Sequence, residues 1–426
     1  MTRFSGRAGL PTVLCLLLAS IGAGTQSGSD GLIASPEPDW PQWRGPRRDG
    51  ISDEKGLLPS WPAGGPALLW KIDGLGTGWS SPVIVGERLY VTGDVGDDLV
   101  IFALDHSGMI QWRTKNGRAW KTPYPGARAC CAWSEGRLYH LNAHGRLACL
   151  DARTGKELWA VDILERFGGK NITWAISECL LVDGPRVIVT PGGTKALMAA
   201  LDKRTGETVW TTEPLAADRT SHSSPILFRY AGRRLIANCS SAHGFGVDAD
   251  TGKLLWTVPL TNPHGVNVAT PTYGSGSLFF VTPYAEHGRL YRLRPEAQGF
   301  AEHVWTSPID TVTGCGILLD GTLFASGYRE VKWWLAIDWQ TGQTKCELKD
   351  LTTGAAIYAD RRLYVLDEEG TAALLKPGPN SLEIVSQFRL AAVRARDAWA
   401  HPVLHNGRLY LRYHDSLWCY DVKARR

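Results

Sequence analysis

A few residues in this chain have types and spacings that could do chemistry. Cys130 and Cys131 are the one pair of adjacent thiols in 426 residues. Neighbours on an extended strand face opposite ways, so the pair reads either as two thiols on two faces or as a vicinal disulfide. His140 and His144, like His401 and His405, stand four apart. On a strand that spacing separates them by about 13 Å, too far for one metal ion, and structural or solvent-facing histidines are the better reading. Glu178 and Asn267 carry the oxygen chemistry that calcium prefers, but the pattern supplies no Asp partner for them. The glycine-rich loop Gly74-Leu75-Gly76-Thr77-Gly78 leads into a strand, so no helix N-terminus is available for a phosphate. The chain has no G-x-S-x-G, H-E-x-x-H or G-x-x-x-x-G-K-[ST], which removes the common hydrolase, zinc-protease and P-loop signatures. None of the eight cysteines beyond residue 27 lies in a C-x-x-C spacing, so zinc ribbons, thioredoxin-type motifs and haem attachment are excluded as well.

The elements that must position these residues are repeats. One unit is an Asp ending an apolar strand, then x-x-Thr-Gly, then x-x-x-Trp: Asp151 to Trp159, Asp202 to Trp210 and Asp248 to Trp256. A shortened copy runs from Asp105 to Trp112, and Asp338 to Cys346 keeps the turn with Cys in place of Trp. A second unit, two strands joined by a Gly- or Asp-containing turn, aligns on Leu89, Leu138, Val187, Leu235, Leu278, Leu323, Leu363 and Leu409, at intervals of 40 to 49 residues. Eight units of four short strands, with period-2 alternation and no sustained helical period, predict an all-β, eight-bladed propeller of four-stranded antiparallel blades. Trp112, Trp159, Trp210, Trp256 and Trp305 are then anchors between blades, each indole N–H seeking a carbonyl of the next. The eighth unit lacks an outer strand, and Ala67-Leu68-Leu69-Trp70-Lys71-Ile72 is expected to supply it and close the ring. Blades with Cys346 at the anchor position, or with the eroded turn near Gly378, should pack less firmly.

In a propeller the inner strands begin around the axis, which here brings together Trp79, Ser80, Arg128, Trp174, Glu178, His222, Asn267, Thr313, Asp397, Trp399 and His401. Such a set either lines a water-filled channel or holds a flat anionic ligand. Net charge is +4, and basic residues are scattered, so nucleic acid is not an expected partner. Residues 1–27 read as a secretory signal, with Arg3 and Arg7 followed by the apolar stretch Leu10 to Ile21. Leu14 before Cys15 disfavours a lipoprotein cleavage site. No later stretch is long and apolar enough to span a membrane. The organisation is therefore a signal over 1–27, a leader over 28–60 and the ring over 61–426.

The docking turns, as in Cys149-Leu150-Asp151-Ala152-Arg153-Thr154-Gly155-Lys156-Glu157-Leu158-Trp159, resemble those of the PQQ-like propeller family. The leader Trp40-Pro41-Gln42-Trp43-Arg44-Gly45-Pro46, with Arg48-Asp49-Gly50, resembles the N-terminus of exported members. The resemblance implies one of two functions. The preferred one is a non-catalytic binding or assembly scaffold of the BamB type, soluble in the periplasm or cell envelope, needing no cofactor and contacting a protein or peptide partner. The insertions at 113–128 and 161–176 are its expected contact sites. The alternative is a quinoprotein dehydrogenase acting on alcohols or sugars with PQQ and calcium. In that case Arg128, Glu178 and Asn267 would be ligands, Glu178 and Asn267 binding the metal, Trp174 would stack on the quinone beside Trp399, and a Cys130–Cys131 disulfide would cover it.

Overall fold

The computed structural model describes residues 1–3, 29–215, 217–284, 286–295, 301–391 and 396–425. Apart from its first three residues, the segment 1–27 read above as a secretory signal lies outside this range. Among the described residues eight antiparallel sheets of four blade strands surround one axis, seven of them built from consecutive strands. The repeats produce this because each short strand alternates small or apolar residues on both faces, and each blade buries those faces against its two neighbours. Blade one spans Val83–Val85 to Ile110–Arg118, and blade seven spans Gly354–Ala359 to Leu382–Arg389. Blade eight joins the two ends of the chain. The strand Ala67–Ile72 pairs with Ser416–Asp421, placing Ala67 opposite Asp421 and Ile72 opposite Leu417, as the unpaired eighth unit requires. No helix among the described residues is long and apolar enough to cross a membrane.

Docking between blades is specific. The Asp of each Thr-Gly turn accepts the turn's own donors: Asp151 Oδ1 takes the Thr154 N–H at 2.8 Å and its hydroxyl at 2.7 Å. This frees the turn glycine to adopt a positive φ, +73° at Gly155 and +77° at Gly206. The indole of the preceding blade lies directly over that glycine. A Cβ on Gly155 would come within 2.6 Å of Trp112, and one on Gly206 within 2.8 Å of Trp159. The same stacking places Trp305 over Gly342 and Trp70 over Gly108. Four indole N–H groups reach the next blade's turn, Trp70 to His106 O at 2.8 Å, Trp112 to Ala152 O at 3.2 Å, Trp159 to Lys203 O at 3.3 Å and Trp305 to Trp339 O at 3.0 Å, whereas Trp210 stacks over Gly252 with its Nε1 buried and without a partner among the described residues. At blade seven, beyond the irregular turn at Gly378, Ser386 holds the anchor's register position opposite Leu374, and Phe388 two residues on supplies the aromatic ring. It lies over Gly65 of the closing segment and edge-on to Trp61 and Tyr420.

The leader does more than precede the ring. Gly31 and Leu32 add a fifth strand to the inner edge of blade four. Trp40 exchanges two backbone hydrogen bonds with Ile84 of blade one, and Pro41 O accepts from Trp133 N of blade two. Arg48 donates to Leu180 O and Cys179 O of blade three, and Arg44 to Gly316 O of blade six. Tyr358 N of blade seven donates to Gly50 O, and Leu58 N donates to Val422 O of blade eight. The leader therefore laces across one end of the axis and ties seven blades together. Trp43, with the guanidiniums of Arg44 and Arg48 5.7 and 5.9 Å from its ring, packs against the cores of blades on opposite sides of the ring.

Candidate functional site

With one end of the channel plugged, the other is a blind cup of about 390 Å³. Its floor is Trp43, which meets His401 edge-on at 5.1 Å. Most of the wall comes from the segments just before inner strands, where the chain turns inward from the preceding blade, and Tyr284, Tyr328 and Arg329 come from the loops between the second and third strands of blades five and six. Arg128, Cys130, Trp174, His222, Thr313, Trp399 and His401 all line it, with Trp79. Sequence reasoning missed Tyr124, Ser177, Cys179, His264, Tyr284, Cys315, Tyr328 and Arg329. Several of these sit in loops of unequal length, so no fixed offset in the repeat marks them.

The rim is a chain of rings. On one side Trp79 packs on Trp399 at 5.0 Å and Tyr124 stacks on Trp399 at 5.6 Å. Across from them Trp174, His264 and Tyr284 follow at 5.6 and 4.4 Å, with Tyr328 at 6.4 Å from Tyr284. Cations already occupy several of these faces. The Arg128 guanidinium lies 5.3 Å from Trp79 and 5.8 Å from Trp120, and that of Arg329 lies 5.0 Å from Tyr284 and 5.8 Å from Tyr328. Among the described residues neither forms an ion pair. Arg128 is held instead by the carbonyls of Tyr124 and Gly126, and Asp94 supports its charge through space. A guanidinium on an aromatic face fills the electron-rich position a ligand cation would use, so the cup suits anions with flat or apolar bodies.

Two of its imidazoles, His222 and His401, are neutral at physiological pH. Burial pushes His401 down to about 3, aided by the charge of Arg44, and His222 likewise to about 3 by burial and the Arg128 charge. His222 Nδ1 lies 2.8 Å from Ser177 Oγ, and His401 Nε2 lies 3.2 Å from Thr313 O.

Below the rim a circumferential relay fixes the wall. Ser81 N–H donates to Cys130 Sγ at 3.1 Å, Cys130 N–H to Cys179 Sγ at 3.2 Å, Cys179 N–H to Ser224 Oγ at 2.9 Å, and Thr270 N–H to Cys315 Sγ at 3.3 Å. Each link crosses from one blade to the next at equivalent positions. The thiols of Cys130 and Cys131 are both free. Cys130 faces the cup, and Cys131 is not among the cup residues.

The calcium set does not converge. Glu178 is fully buried outside the cup, taking the Thr190 N–H and hydroxyl at 2.8 Å each, with Asn238 Nδ2 at 3.4 Å. Burial raises its carboxyl to about 8. Asn267, also buried, donates to Ser240 O and Leu260 O. Among the described residues no three His, Cys, Asp or Glu groups are arranged to hold a metal ion. The residues present therefore fit a flat anion at the cup but not calcium at Glu178 and Asn267.

A closed ring of eight four-stranded blades, pinned by Asp-x-x-Thr-Gly turns under docking tryptophans, defines a PQQ-like β-propeller. A family model described as outer membrane protein assembly factor BamB matches residues 97–345, and the chain belongs to that family. It is 24% identical over 296 residues to the outer membrane protein assembly factor BamB of Yersinia pestis, covering 65% of this chain and 70% of that one. It is 28% identical over 141 residues to the 1-butanol dehydrogenase (quinone) of Thauera butanivorans, spanning 22% of that enzyme's length. Among solved structures, BamB from Moraxella catarrhalis superposes with a TM-score of 0.60 at 16% identity, over 84% of this chain and 99% of that one. The quinohemoprotein alcohol dehydrogenase from Comamonas testosteroni superposes with 0.61 at 15% identity, over 91% and 81%. Both structural likenesses speak to fold alone.

Proposed function

We propose that this protein is a non-catalytic binding scaffold of the cell envelope, resembling BamB, that receives an anionic segment of a protein partner in the cup. The observation that carries the reading is the cup itself: aromatic walls capped by the guanidiniums of Arg128 and Arg329, closed below by the leader. Such a site offers shape and charge for recognition. Its two innermost imidazoles are held neutral by burial, which leaves them poor proton carriers near pH 7. The family match and its BamB relative support an envelope setting with protein partners. The partial matches to quinone-dependent dehydrogenases favour a second reading, a PQQ-dependent oxidoreductase. Against it stands the engagement of Glu178 with Thr190 and Asn238, away from the cup.

One experiment separates the two. A photo-crosslinking residue placed at Tyr124, on the exposed rim, should trap one or a few defined envelope proteins in cells, and Arg128→Ala should abolish the adducts. The purified protein given PQQ and calcium should show no alcohol- or sugar-dependent dye reduction. Turnover under those conditions, lost on Arg128→Ala, would refute the scaffold.

A further inference from the structure

The relay around the cup needs an acceptor at each seam, and Ser224 serves as well as a cysteine does. Thiol chemistry is therefore surplus to the seam at Cys130 and Cys179. These two nevertheless lie side by side on adjacent blades, hydrogen-bonded at 3.2 Å from Cys130 N to Cys179 Sγ, and both open into the cup.

A second observation lies on the plugged side. Arg48, 3% exposed, donates to Cys179 O at 2.7 Å and to Leu180 O at 2.9 Å, while its Nε is buried without a partner. Among the described residues it forms no ion pair. Arg412, 1% exposed and likewise without an ion pair among the described residues, approaches Cys130 from blade eight. The other titratable groups facing the pair are Glu178 and Cys131. Glu178, raised to about 8 by burial, is mostly protonated near pH 7 and leaves the Arg48 charge unanswered. Burial opposes ionisation of Cys179, but donors from the Cys130 thiol and N–H, the Arg48 charge and the Ser224 hydroxyl outweigh it and hold this thiol below its ordinary value. Cys130 is pushed well up by burial and by its neighbour.

We propose that Cys130 and Cys179 form a redox-active dithiol across the seam between blades two and three, whose substrates are small disulfides entering through the cup. The Cys179 thiolate attacks one sulfur of R–S–S–R, forming a mixed disulfide and releasing R–S⁻. That thiolate takes the Cys130 proton, and the Cys130 sulfur then attacks Cys179 and expels the second R–S⁻. Two protein thiols are oxidised to one disulfide, and one small disulfide is reduced to two thiols.

The test uses the full chain, reduced, freed of reductant and treated with 2-hydroxyethyl disulfide, then quenched in acid and unfolded. The expected result is a loss of two thiols, a mass decrease of two hydrogens and a Cys130–Cys179 crosslinked peptide. Cys130→Ser and Cys179→Ser each keep a relay acceptor. Cys130→Ser should stall with one mixed disulfide to 2-mercaptoethanol on Cys179, and Cys179→Ser should not react at this site. In Cys130→Ser, adding Arg48→Gln should move the pH profile of Cys179 alkylation upward. An unchanged thiol count, a Cys130–Cys131 link or a Cys130 adduct forming as fast in Cys179→Ser would overturn the assignment.

Discussion

Gly206→Ala tests the docking geometry directly. Gly206 has φ +77°, and a Cβ there would sit 2.8 Å from Cε3 of Trp159. Gly136 has nearly the same φ, +74°, but no heavy atom within 4 Å of the position its Cβ would take. Gly136→Ala thus carries only the left-handed backbone penalty, about 1–2 kcal/mol. Gly206→Ala carries that penalty and must also lift the indole from its seat. This stretches the Trp159 Nε1 hydrogen bond to Lys203 O, already 3.3 Å, and overpacks the seam, a further 1–3 kcal/mol or so. The two variants should differ by that second amount in urea-induced equilibrium unfolding with a common slope. The double variant Trp159→Ala with Gly206→Ala should recover the difference, because no ring remains to collide with. Equal destabilisation of the two glycine variants, to within about 0.5 kcal/mol, the usual error on additivity, would refute the stacking argument.

Deleting residues 61–75 should destabilise the whole ring by at least the cost of losing a buried Trp, about 3–5 kcal/mol, because the strand that closes blade eight goes with it; calorimetry giving an unchanged melting temperature would contradict ring closure by Ala67–Ile72. Acid should weaken the fold in a definite window. Burial holds His140 at about 4 and His401 at about 3, so the unfolded chain binds more protons below an imidazole's ordinary 6.5, and stability is lost as pH falls from there towards 3. At pH 5.5 the loss is about 1.4 kcal/mol for each imidazole, and His222, held at about 3 in the same way, adds an equal share, so urea unfolding should show about a third of the loss removed by His140→Gln. Glu178 acts in the opposite direction: its folded value of about 8 lies above the ordinary 4.5, so its contribution is lost as pH rises between the two, and Glu178→Gln should flatten stability across that range. Trp43→Ala should open the floor of the cup and speed hydrogen exchange at the leader's amides while sparing those of the outer strands.

The blades, the docking tryptophans and the closing strand were legible from the chain because their determinants are local. Period-2 alternation, an Asp-x-x-Thr-Gly turn and a Trp four residues after the glycine each act within a few residues, and eight blade units leave one way to bury all the faces. Local pattern also placed Arg128, Trp174, Trp399 and Cys130 near the axis, since each precedes an inner strand. It did not decide which way neighbouring side chains point there. Glu178 and Cys179 are adjacent, yet one turns outward to Thr190 and the other into the cup, because alternate residues of an extended chain face opposite sides. Nor could any repeat reveal that Arg44 and Arg48 carry the leader through the far end of the axis. Those guanidiniums find their carbonyls 131 to 272 residues away in sequence, and contacts at that separation exist only once the ring has closed around them.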